Sequence, residues 1–290
     1  MNLSSPADVA SLLKKHNFRP AKGLGQNFLT DRNIIEKIID GANINAGDLV
    51  LEIGPGVGAL TAAAAKRAGK VIGVEIDEKL LPILDETLGG FDNIKIIKGD
   101  ILKESISDLI SRNIGTGGGV KIIGNLPYYI TSPVIMKILE EKTTAESLTV
   151  MVQKEVAGRI KAGSGSKAYG AITAAINYYC EVRHITDVPR DVFLPKPNVD
   201  SAVIRLDIRK IPPVALKDEK TFFMCIKAGF GQRRKTLLNA LTGLYGMDKK
   251  SAEAALYNAS IDPMRRAETL DIREFAALAN RVYEEAGNKR

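Results

Sequence analysis

Asn125-Leu126-Pro127-Tyr128 follows an apolar run at 120–123 and so falls in a loop after a strand. The exocyclic nitrogen of an adenine is a poor nucleophile because its lone pair is delocalised into the ring. The side-chain oxygen of Asn125, with the main-chain carbonyl of Leu126 or of Pro127, can accept both hydrogens of such an amine. That turns the nitrogen toward tetrahedral geometry and aims its lone pair at an electrophile, here a sulfonium methyl, while Tyr128 stacks on the base. Orientation and charge placement carry this chemistry without a general base, which suits a chain whose only histidines are His16 and His184. The plain alternative is an ordinary turn after a strand. Phe193, set among prolines and charges at 191–197, reads either as a second wall for a flipped base or as a loop anchor packed into the core.

A second group of residues suits the carrier of that electrophile. Glu52 precedes Gly54, Gly56 and Gly58, whose G-x-G-x-G spacing differs from the G-x-G-x-x-G of dinucleotide folds. Glycine permits the tight turn and the close approach of a ligand to the backbone. Glu75 closes the next strand, where a carboxylate can accept hydrogen bonds from both hydroxyls of a ribose, and Asp100 ends the third, where it can accept from an adenine amine. No phosphate-gripping G-x-x-x-x-G-K-[ST] string occurs, so a nucleoside without phosphate fits better than NAD or ATP. S-adenosylmethionine is such a ligand.

These loops need a rigid frame. Apolar runs at Leu49–Ile53, 71–76, 94–97, 120–123 and 148–152 alternate with helix-length segments, which predicts βαβ units and a parallel sheet covered on both faces. Runs at 178–185 and Ser201–Ile208 flank a proline-punctuated loop at 188–198 and read as an antiparallel pair at the sheet edge. Upstream, Ser5-Pro6-Ala7-Asp8 reads as a helix start, and Ile34, Ile35, Ile38 and Ile39 mark a second helix beginning near Thr30 or Asp31 and ending around Gly41. Beyond Ile211-Pro212-Pro213 the pattern turns helical, with breaks at Gly243, Gly246 and Pro263. The expected division is a cofactor-binding catalytic domain over 1–211, whose residues 1–45 form helices and a covering loop, and a helical domain over 212–290.

The 290 residues, 45% hydrophobic and 26% charged, exclude a disordered, collagenous or coiled-coil chain. No run of roughly 18 apolar residues and no leader-like start is present, so a cytoplasmic protein without membrane contact is expected. Cys180 and Cys225 have too few possible partners at the wrong spacing for a zinc site, so no metal is expected and the thiols read as reduced and buried. The formal charge of +7 favours a polyanionic partner. Residues 212–290 hold 14 Lys and Arg against 10 Asp and Glu, so the tail is the more basic part per residue. Lys14, Lys15, Arg19 and Lys22, with Arg233, Arg234 and Lys235, are candidates to grip RNA phosphates, although each alone reads equally as a solvated face.

The series 25–29, 52–58, 74–77, 99–102, 125–128, 153–157, Phe193 and 199–203, together with 229–237 in the tail, resembles in order and spacing the rRNA adenine N6,N6-dimethyltransferases, most nearly their bacterial small-subunit branch. The resemblance spans nearly the whole chain. It implies a Rossmann-like class I S-adenosylmethionine methyltransferase sheet, mostly parallel with an antiparallel edge pair, and a smaller all-helical C-terminal domain that assists rRNA binding. It further implies dimethylation of two adjacent adenosines in the 3′-terminal hairpin loop of 16S rRNA on an assembling 30S subunit, by a monomer that converts S-adenosyl-L-methionine to S-adenosyl-L-homocysteine. By resemblance, Gln26, Asn27, Leu29, Glu52, Gly54, Gly56, Gly58, Glu75, Ile76, Asp100, Ile101 and Asn125 are cofactor contacts. Asn125, Leu126, Pro127, Tyr128 and Phe193 form the catalytic set, with Tyr128 and Phe193 as the stacking pair. Tyr129 departs from the family pattern, where asparagine is more usual, which bears on the rim of the site. Competing readings are a 23S rRNA adenine methyltransferase of the macrolide-resistance type and a non-catalytic assembly factor. An NAD-dependent dehydrogenase is disfavoured by the glycine spacing.

Overall fold

The computed structural model describes residues 1–115 and 117–287, apart from the side chain of Lys22. The chain forms two compact units, one of Met1–Ala157 with Glu181–Ile208 and one of Gly158–Cys180 with Arg209–Arg290.

Nine strands occur among the described residues: β1 (Phe28–Leu29), β2 (Leu49–Ile53), β3 (Lys70–Glu75), β4 (Ile94–Lys98), β5 (Val120–Asn125), β6 (Ala145–Gln153), β7 (Cys180–Val188), β8 (Phe193–Leu194) and β9 (Ser201–Ile208). Seven of them make one sheet in the order β4-β3-β2-β5-β6-β9-β7. The pairs β4–β3, β3–β2, β2–β5 and β5–β6 are parallel, and β9 runs antiparallel to β6. Every residue of β2 is buried, as expected of a central strand covered on both faces. Strand order reverses between β2 and β5, so the loops leaving their carboxyl ends diverge and open a crevice there.

Local signals at the N-terminus are met. Ser5 Oγ accepts from the Asp8 N–H at 3.3 Å and caps helix Pro6–Lys15, and Asp31 caps Arg32–Ala42 by accepting from the Ile34 N–H at 2.9 Å. Ile34, Ile35, Ile38 and Ile39 are buried along one stripe of that second helix.

Two expectations need correction. Residues Ala171–Tyr179 are helical, so the strand expected at 178–185 begins at Cys180. A single cut at 211/212 also misplaces 158–180, which belongs to the helical unit. The reason is aromatic packing: the Tyr178 ring lies 5.1 Å from Phe222 and 5.5 Å from Phe223, centroid to centroid, inside a core shared with Leu241 and Phe275. That unit otherwise comprises helices Glu219–Gly231, Leu237–Leu241, Lys249–Asn258 and Ile272–Gly287, joined by short turns. Cys180 and Cys225 are buried and are not joined in a disulfide. Among the described residues no helix is long and apolar enough to cross a membrane, and no cluster of His, Cys, Asp and Glu is arranged to hold a metal ion.

Candidate active site

A cleft runs along the carboxyl ends of β2, β3, β4 and β5 and is roofed by residues 24–29. Of the residues expected to contact a cofactor, Gln26, Asn27, Leu29, Glu52, Gly54, Gly56, Glu75, Ile76, Asp100, Ile101 and Asn125 all line it. Gly58 does not. It is buried at φ +88° beside Leu88, and its work is to start helix Ala59–Ala65.

Gly54 and Gly56 take φ +70° and +60°, a region that side-chain-bearing residues rarely adopt. No atom lies within 4 Å of where a Cβ on Gly54 would stand, so the backbone itself faces open cleft. At Gly56 that atom would lie 3.1 Å from the Phe28 ring. Below the loop Glu75 is held by two main-chain donors, the Gly56 N–H at 3.1 Å and the Asp77 N–H at 2.9 Å. Burial raises its pKa and these N–H groups oppose the rise. Glu52, fully buried, is pushed up to about 7, chiefly by burial and in part by the Glu75 carboxylate. Asp100 accepts from the Leu102 N–H at 3.0 Å. Beside it Ile76 is 51% exposed, a large apolar face left bare within the cleft, and Ile101 is buried opposite the solvent.

The roof is pinned by side chains. Gln26 accepts from the Ala21 N–H at 2.8 Å and donates to Asp77 at 2.8 Å, so it acts as a clasp across the mouth. Asn125 donates through Nδ2 to the Asn27 carbonyl at 2.8 Å, which leaves its Oδ1 as an acceptor toward the cleft. Of the two carbonyls that sequence leaves open, that of Pro127 is already used, accepting from the Ile130 N–H at 3.1 Å and the Thr131 hydroxyl at 3.2 Å. The Leu126 carbonyl carries no such turn bond among the described residues, and its side chain is buried.

Tyr128 is half-buried, and its hydroxyl meets the Ser201 hydroxyl at 2.7 Å, which fixes the ring from behind. Sequence reasoning did not single out Ser201, although it lies within the 199–203 motif. Phe193 does not line the cleft. It is 5% exposed and packs in a core cluster with Ile123, Met151 and Val203, so the loop-anchor reading describes it. Its strand β8 pairs antiparallel with β1, matching Phe28 with Leu194 and Leu29 with Phe193. Phe28, Leu24, Leu102 and Tyr129 also line the cleft. Tyr129, 60% exposed at the rim, faces Gly25, where an added Cβ would come within 3.6 Å of its ring.

The candidate RNA contacts divide. Lys14, Arg19, Arg234 and Lys235 are exposed. Lys15 pairs with Glu86 at 2.7 Å, and the side chain of Lys22 lies outside the described residues. Arg233 is exposed as well, and it pairs with Glu268 at 3.1 Å and donates to the main-chain carbonyl of Lys167.

A parallel sheet with this strand order, a glycine turn after β2, an acid at the end of β3 and an Asn-Leu-Pro-Tyr loop after β5 together define a class I methyltransferase. The chain belongs to the ribosomal RNA adenine dimethylase family, whose description matches residues 16–282. It is 49% identical over 281 residues to the ribosomal RNA small subunit methyltransferase A of Alkaliphilus oremlandii, covering 97% of this chain and 98% of that one. It is 47% identical to the protein of the same name from Clostridioides difficile, covering 99% of each. Among solved structures, a dimethyladenosine transferase from Plasmodium falciparum superposes with a TM-score of 0.74 at 26% identity, over 89% of this chain and 98% of that one. The 23S rRNA methyltransferase ErmE does so with 0.66 at 28%, over 89% and 100%.

Proposed function

We propose that this chain transfers methyl groups from S-adenosylmethionine to N6 of two adjacent adenosines in the 3′-terminal hairpin loop of 16S rRNA, within the 30S subunit during its assembly. Membership of the rRNA adenine dimethylase family and near-full-length identity of 47–49% to small-subunit methyltransferases support the reaction and its subunit. The hairpin, the assembling particle and action as a monomer extend that reading.

The observation that carries the chemistry is Asn125, whose amide nitrogen is spent on the Asn27 carbonyl so that its oxygen remains to accept from the target amine. The Leu126 carbonyl is the second acceptor, because that of Pro127 is occupied. Tyr128, braced by Ser201, offers its face to the base. The residues present fit the donor: Gly54 leaves bare backbone, Glu75 is oriented by two N–H groups to accept from ribose hydroxyls, Asp100 accepts from an adenine amine, and exposed Ile76 covers an apolar ring. When bound, S-adenosylmethionine supplies an electrophilic methyl on a positively charged sulfur. The proton lost by the amine leaves to water or to the oxygen acceptors, so no general base is assigned.

The test is transfer of tritiated methyl from S-adenosylmethionine to 30S and 50S subunits purified from a strain lacking this activity, with primer extension to locate the modified bases. Label in the 30S subunit and stops at two neighbouring adenosines near the 3′ end are expected. Label confined to the 50S subunit would replace this reading with the 23S alternative.

A further inference from the structure

Glu52 is a carboxyl that the chemistry above leaves unused. It is the next-to-last residue of β2, paired in register with Gly73 of β3 and Ile123 of β5, neither of which carries charge. It lines the cleft yet is 1% exposed, and its Oε2 has no hydrogen-bond partner among the described residues. From helix Ala59–Ala65 the Thr61 hydroxyl is the one neighbouring group that eases its ionisation, and only in part. The charged group that faces it is Glu75, which does have main-chain donors, from Gly56 and Asp77, to support its anion. Two neighbouring carboxyls are therefore placed in opposite circumstances, one furnished with N–H groups and one furnished with none. Environments that differ in this way separate the protonation states of a pair.

Resting on the reading of the cleft as a site for S-adenosylmethionine, we propose that Glu52 is a proton-coupled counter-charge: protonated in the free protein under mildly acidic conditions, it ionises when a cationic ligand enters, so the cleft tells the sulfonium substrate from its uncharged thioether product. The proton departs to bulk buffer and no bond to carbon or sulfur changes. Removing an unpaired carboxylate from water is costly, which holds the acid form in the free protein. A fixed positive charge brought into the same cleft lowers that cost. Substrate and product share the adenosine, the ammonium and the carboxylate, and differ in the methyl group on sulfur and the positive charge that goes with it. Glu52 is the buried, uncompensated group that can respond to that difference.

Calorimetric titration of the full chain at pH 6 in two buffers of different ionisation enthalpy counts the protons released per ligand bound. With a free-state pKa of about 7, S-adenosylmethionine is expected to release about 0.9 proton. S-adenosylhomocysteine is expected to release clearly less, and Glu52→Gln to abolish the difference between the two ligands. Equal release by both ligands in the unaltered protein overturns the proposal without recourse to any variant, and an undiminished difference in Glu52→Gln overturns it by moving the proton to another group. Failure of S-adenosylmethionine to bind at all removes the underlying reading of the cleft, an outcome distinct from binding without proton release.

Discussion

Asn125 performs two tasks through two atoms, and substitution separates them. Asn125→Ala removes the Nδ2 donor that holds the Asn27 carbonyl at 2.8 Å and also the Oδ1 acceptor assigned to the target amine. Loss of one neutral hydrogen bond at a half-buried site costs about 0.5–1.5 kcal/mol, which converts to a weakening of cofactor affinity of roughly 2- to 12-fold. Loss of a preorganised group that acts on the reacting atom costs on the order of 100-fold or more in rate. The two effects differ enough in size to be resolved. Single-turnover transfer of labelled methyl to 30S subunits at saturating S-adenosylmethionine reports the second, and equilibrium titration with sinefungin reports the first. A variant that binds sinefungin several-fold more weakly yet transfers at an undiminished saturated rate would falsify the acceptor role and reduce Asn125 to a fastening for the roof.

Ser201→Ala frees the Tyr128 hydroxyl from its 2.7 Å partner, and we expect a several-fold fall in transfer rate or RNA affinity with sinefungin binding unchanged, measured by the same two assays. Gly56→Ala places a methyl group 3.1 Å from the Phe28 ring at φ +60°, so unfolding in urea should show a loss of about 1–3 kcal/mol together with weakened cofactor binding. Arg234→Glu and Lys235→Glu should lower RNA affinity and flatten its salt dependence, whereas Arg233→Glu, by cutting the tie to Glu268, should lower the melting temperature instead. Glu52 keeps its proton in the folded chain up to about pH 7 but loses it near 4.5 when unfolded. Between those values the folded state binds the extra proton, so this group's contribution falls as pH rises, by on the order of 3 kcal/mol in total. Urea melts of the cofactor-free protein should accordingly find Glu52→Gln gaining on the unaltered chain from pH 5 to pH 8, and a constant gap would refute the assignment.

The central strands were legible because both of their faces are buried and they read as predominantly apolar runs, Leu49–Ile53 being interrupted by Glu52 alone. Helix Arg32–Ala42 was legible from its isoleucine spacing and its Asp31 cap. Glycine positions and strand-end acids located the cleft, because loops at the carboxyl edge carry their chemistry in short contiguous motifs. What escaped depends on partners distant in sequence. Pairing of the two-residue strands β1 and β8 joins Leu29 to Phe193, and neither is long enough to announce itself by alternation. Burial of Phe193 follows from that pairing, which is why its role could not be settled from the loop alone. Tyr178 and Tyr179 look strand-forming, yet the aromatic core with Phe222 and Phe223 keeps them helical. Likewise the use of the Pro127 carbonyl by the start of helix Thr131–Glu140, on which our preference for Leu126 rests, involves donors that only the fold brings within reach.

Leu126 also shows how one residue can answer to two masters. The residue as a whole is only 2% exposed and lies beneath the loop, while its carbonyl is the part we propose as an acceptor for the target amine. Interior volume therefore dictates which amino acid is acceptable there, whereas the proposed acceptor role draws on an oxygen that every amino acid possesses. Exchange of Leu126 for another aliphatic residue of equal size is accordingly a matter of tolerance in the hydrophobic interior, with the reaction itself indifferent to the replacement.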